Sequence, residues 1–86
     1  MVTRLEWEEF LYNCDLGWHL WLHVDRAAEA YLRGEISEDK LRERLAEVHT
    51  ALRGELAERF TQNQEAILRF LRMVLREGTK LDKWIN

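Results

Sequence analysis

From residue 41 onward the apolar positions of this chain step by three and four. Leu41, Leu45, Val48, Leu52 and Leu56 recur at that spacing, leaving Arg42, Glu43, Arg44, Glu47, Arg53 and Glu55 for water, the pattern of a helix with one buried face. Ser37 stands just ahead with Glu38 and Asp39 behind it, the order of an N-cap followed by acidic residues at the positive end of a helix dipole. A second stripe, Ile67, Phe70, Leu71, Val74 and Leu75, closes near Gly78. Between the two stripes residues 61–64 are polar, and Thr61 with Gln64 has the spacing of a capping box. The pattern therefore predicts helices over 38–60 and 62–77. One unbroken helix over 38–77 is the rival; it would hold Gly54 in its interior, at about 1 kcal/mol relative to alanine, and absorb an extra four-residue step between Leu52 and Phe60.

The first half is harder. Trp7, Phe10, Cys14, Gly17, Trp21, Val24, Ala28 and Tyr31 alternate strictly by three and four, which predicts one helix over about 4–33 with a continuous seam. Gly34 follows as a left-handed C-terminal cap. Leu5, Leu11, Leu16, Leu20 and Leu22 lie off the seam, so this rod is apolar on more than one side. The stretch LGWHLWLHV, residues 16–24, also fits a period of two: Trp18, Leu20, Leu22 and Val24 would share one face of a strand, entered through the turn residues Asn13, Asp15 and Gly17 and followed by Asp25 as a helix cap. A single strand among helices has nothing to pair with except its own copy in a second subunit. The helical reading needs no such partner. The expected architecture is thus an all-α single domain spanning 1–86: a small bundle of three main helices, 4–33, 38–60 and 62–77, with a short C-terminal turn folding Leu81, Trp84 and Ile85 onto the core.

Composition sharpens this picture in three ways. Eighty-six residues allow one small domain, yet 47% are apolar and four are tryptophan, more than a core of this size absorbs easily. The net charge of −3 argues against a broad positive field for nucleic acid. It is unevenly spread: residues 1–40 carry four basic and nine acidic side chains, residues 41–86 nine basic and seven acidic, so the chain is dipolar and suited to a charged protein partner. Cys14 is the single cysteine, which fits a reducing compartment, and the most apolar window is too short to span a bilayer. A cytoplasmic protein is expected.

Three constellations bear on chemistry. On a helix His19 and His23 stack by i, i+4 and Asp15 extends the column, so three ligands could meet one metal ion, with His49 closing the site from across the bundle. Against this, the pair lacks the Glu-x-x-His arrangement of helical metal sites, and a column Tyr12, His19, His23, Ala30 facing away from the seam has the amphipathic make-up of a protein interface. Cys14 sits on the seam, where a thiol acts as a small apolar side chain rather than a nucleophile. Arg69, Arg72, Arg76 and Lys80 form a basic stripe that could touch phosphates, diluted by Glu65, Glu77 and Asp82. No glycine-rich phosphate loop is present, and a helix-turn-helix centred on Gly54 would start its reading helix with Glu55 and Glu58, which repel DNA. The residues point to a small non-enzymatic interaction protein: an accessory subunit, regulator or inhibitor without a cofactor, pairing as a homodimer or with a dedicated partner; the alternatives are a helical metal-binding protein using His19 and His23 and a small nucleic-acid-associated subunit using the C-terminal basic stripe. The interface would comprise Tyr12, Leu16, Trp18, His19, Leu22 and His23, rimmed by Glu6, Glu8, Glu9, Asp15 and Glu29.

Overall fold

The computed structural model describes residues 3–14 and 16–76. They form four helices and no strand: α1 Arg4–Tyr12, α2 Trp18–Leu32, α3 Glu38–Ala51 and α4 Glu55–Arg76. The all-α expectation holds, but both long elements break elsewhere than their apolar periodicity predicts. No helix among the described residues is long and apolar enough to cross a membrane.

The expected rod over 4–33 is two helices. Thr3 opens α1 by accepting a hydrogen bond from the Glu6 N–H at 3.2 Å. The helix stops at Asn13, whose N–H reaches the Glu9 carbonyl, while the Cys14 N–H turns to that of Leu11. Gly17 is extended and caps α2, its carbonyl accepting from the Trp21 N–H at 2.8 Å. The turn residues Asn13 and Gly17 thus mark a real break, and the segment after it is helical, not a strand. The seam survives the break because both halves turn the same residue set inward: Trp7, Cys14, Val24 and Ala28 are buried, and Phe10, Trp21 and Tyr31 pack against the core.

The second break is not at 61–64, where α4 runs straight through. Thr61 does not cap; its hydroxyl donates back to the Ala57 carbonyl at 3.1 Å, a bond compatible with an unbroken helix. The chain parts instead at Leu52, which is extended, and at Gly54, which sits at φ +60°. That left-handed conformation is easy only for glycine, and Glu55 and Glu58 then fall in the first turn of α4, where the dipole favours acids. The capping box was outweighed because Phe60, Ile67, Leu68, Leu71 and Val74 bury one continuous face of α4. The expected caps around residues 34–37 are both formed. Gly34, at φ +78°, donates to the Tyr31 carbonyl while Glu35 donates to that of Ala30, the paired bonds of a Schellman motif. Ser37 accepts from the Lys40 N–H at 3.2 Å. Gly78 and the expected turn over 79–86 lie outside the described residues.

α2 and α3 form an antiparallel hairpin, with Leu32, Leu41, Leu45 and Val48 closing its inner face against α4. α1 is held by a buried charge. Asp25, 5% exposed, accepts from Arg4 Nη1 at 2.8 Å and Nη2 at 2.9 Å, and from Trp7 Nε1 at 2.8 Å. Burial works against the Arg4 charge, but the hydrogen bond and attraction of Asp25, with Glu8 behind them, outweigh it and hold the guanidinium more firmly protonated than usual. Trp7, fully buried, also packs against Phe70 of α4, ring centres 5.4 Å apart, with Phe10 beside both.

Removing the Asp25 carboxylate takes from Arg4 its two-bond partner, leaving Glu8 at 3.1 Å and Glu29 at 3.7 Å, and takes from the Trp7 indole N–H the acceptor at 2.8 Å. Asp25→Ala should therefore cost about 3–5 kcal/mol, read as a lower urea midpoint; a loss under about 1 kcal/mol would show that the cluster does not hold α1. Nothing crowds the space beside Gly34 or Gly54, so alanine at either should cost only the backbone strain of a left-handed residue, about 1 kcal/mol each. The hydrogen bond from Arg72, 2.7 Å long, holds Glu38 below its ordinary value of 4.5. A lowered carboxyl stabilises the fold fully above that ordinary value and loses its contribution as pH falls through the folded value. Denaturation of Glu38→Gln across this range should accordingly show a shallower acid limb than the parent; an identical limb would remove this pair from the account.

Candidate functional site

α2 starts with an exposed aromatic pair. Trp18 is 69% exposed and lies over Trp21, ring centres 5.5 Å apart and planes 8° from parallel, while Trp21 packs against the core. The inner indole is held by the bundle and the outer one is presented to water, a stack worth about 1 kcal/mol beyond area burial. Leu22, one turn after Trp18 on the same face, is half-buried. On α1 the exposed apolar residues are Leu5 at 63% and Tyr12 at 80%, seven apart and so on one face of that helix. Leu16 and Leu20 pack against the core. The break at 13–17 thus uses part of the apolar circumference that a straight rod would leave bare, and narrows the exposed set to Leu5, Tyr12 and Trp18 on the first two helices.

The histidines sit beside this face. His19 is exposed and His23 half-buried, and together with Leu20, Glu47 and Val48 they line a cleft of about 260 Å³ between α2 and α3. His23 Nε2 is shut off from solvent and lies 3.2 Å from Glu47 Oε2, an ion pair whenever the ring is protonated, though without the in-line approach of a hydrogen bond. His49 does not line this cleft; Glu47 occupies the place opposite His23. Asp15 lies outside the described residues, and among those described no group of three His, Cys, Asp or Glu side chains converges to hold a metal ion. The antiparallel hairpin about residue 35 pairs 23 with 47, a relation that its tight turn made available from sequence once both helices were placed.

The acidic rim is partly engaged within the chain. Glu8 is 3.1 Å from Arg4 Nε, and Glu29 is 3.7 Å from Arg4 Nη1. Glu6 and Glu9 make no ion pair among the described residues. Cys14 is buried, its thiol donating to the Phe10 carbonyl at 3.4 Å. Of the basic stripe, Arg72 is tied to Glu38, whereas Arg69 and Arg76 are exposed with no ion pair among the described residues; Lys80 lies outside them. The Arg72 tether and the Arg42–Glu65 pair at 2.9 Å link α3 to α4, a structural role for charges that on a helix face read simply as solvated. No protein-family model, no curated protein and no solved structure matches the chain.

Exposure separates the tryptophans sharply enough to measure. In single-tryptophan variants Trp18 should emit at long wavelength and be quenched readily by acrylamide, while Trp7 should be blue-shifted and shielded; equal quenching of the two would contradict this placement of α1 and α2.

Proposed function

We propose that this chain is a small non-enzymatic interaction protein that acts by docking its aromatic N-terminal surface on a second copy of itself or on a dedicated partner protein. The observation that carries the reading is Trp18, 69% exposed and held in place by its stack on Trp21. A pre-ordered indole gives a partner a large apolar contact with little side-chain entropy left to lose, which is why tryptophan is enriched at the centres of protein interfaces. Burying it gives on the order of 2–3 kcal/mol. Tyr12 and the half-buried Leu22 extend the surface, whereas Leu16 packs against the core; His19 and His23 supply its polar edge, and Glu6 and Glu9 its negative rim. Such a chain works by occupying a complementary site, as an accessory subunit, regulator or inhibitor.

Sedimentation equilibrium, with the chain alone and with extract of its native cell, is the test. Trp18→Ala should weaken self-association or partner retention at least about tenfold while changing the unfolding free energy by less than about 1 kcal/mol. A variant that associates and retains partners as the parent does would defeat the reading.

A further inference from the structure

A second pocket opens on the same hairpin, towards its turn. Its volume is about 250 Å³, and it is lined by His23, Arg26, Ala27 and Ala30 of α2, Ile36 of the turn and Arg44 of α3. Pairing about residue 35 sets 26 opposite 44 just as it sets 23 opposite 47, so two arginines line one small space. Neither arginine makes an ion pair among the described residues, and the sequence shows why. The positions four before and four after Arg26 are Leu22 and Ala30, and those around Arg44 are Lys40 and Val48, so neither has a carboxylate at the four-residue spacing. The carboxylates three positions on, Glu29 and Glu47, are drawn away, to Arg4 at 3.7 Å and to His23 at 3.2 Å. Two like charges therefore share a pocket that lacks its own anion.

We propose that this pocket binds a carboxylate carried on a short hydrocarbon stem. The two planar forks suit a carboxylate, which accepts two parallel hydrogen bonds from one guanidinium. Ala27, Ala30 and Ile36 form an apolar wall that a bare inorganic anion would leave unused but a few methylenes would cover. The volume of about 250 Å³ is below the roughly 300–1,000 Å³ of drug-sized sites and has room for a short-chain acid. Two sources share this chemistry: a free short-chain acid, and the glutamate of a partner polypeptide. The site stands apart from the Trp18 surface and does not depend on it.

The test is titration of the intact chain with butyrate, with an acetylated, amidated peptide holding one glutamate, and with inorganic phosphate, followed by backbone amide NMR shifts. Butyrate or the peptide should move the Ala27, Ala30 and Ile36 amides with saturation at millimolar concentration, more tightly than phosphate. Tighter binding of butyrate assigns the site to a small acid; tighter binding of the peptide assigns it to a partner's glutamate; both uphold it. Arg26→Gln and Arg44→Gln should each weaken binding about tenfold, and both residues are exposed, so the fold should tolerate them. Absence of saturable shifts at about 20 mM ligand, tighter binding of phosphate, or affinity unchanged in both variants would overturn the proposal.

Discussion

The placement of α1 depends on one buried carboxylate. Asp25 is almost fully enclosed, and a lone ion there would be several kcal/mol out of favour; the cost is offset because Arg4 meets it with two parallel bonds and Trp7 adds a third. Both partners come from α1, one turn apart, so the arrangement forms only when that short helix lies against α2 in a single register. An isolated nine-residue helix has little stability of its own in water. What keeps it folded is this charge cluster on one side and the Trp7–Phe70–Phe10 aromatic group on the other.

That geometry changes the meaning of the apolar excess. A straight rod from 4 to 33 would carry leucines around most of its circumference, too many for two other helices to cover. Broken at 13–17 and folded back, the same residues cover one another: Leu11 becomes fully buried, and Leu16 and Leu20 join the core margin. The surplus on the first two helices contracts to a few large side chains, Leu5, Tyr12 and Trp18, with Trp18 the most massive.

The α2–α3 hairpin organises the polar surface by a similar logic. Its tight turn sets residues in antiparallel pairs, so one pair joins His23 to Glu47 while the next sets Arg26 against Arg44. The first pair sets a carboxylate beside its imidazole, whereas the second sets two cations together with no carboxylate lining their pocket. On the far side of α3, Glu38 and Arg42 reach α4 through Arg72 and Glu65, so those charges tie helices together while the hairpin's own arginines remain available.

The sequence by itself determined what local chemistry determines. Periodicity near 3.6 marked the helical class; Ser37 and Gly34 marked a hairpin turn, because an N-cap hydroxyl and a left-handed cap act within a few residues; and the seam from Trp7 to Tyr31 marked the core face, since inward residues stay inward on either side of a break. Only the tertiary structure decided where the long elements part. A capping box at 61–64 and a glycine at 54 are both valid local signals, and the choice between them rested on whether Phe60 and Ile67 bury together on one straight helix. Asp25 was legible as a helix-start residue and not as a buried ion, for its role needs Arg4 and Trp7 to arrive from twenty residues away, a distance across which no local spacing carries information. The same holds for Arg26 and Arg44: each is an ordinary surface side chain until the hairpin brings both to the lining of one pocket.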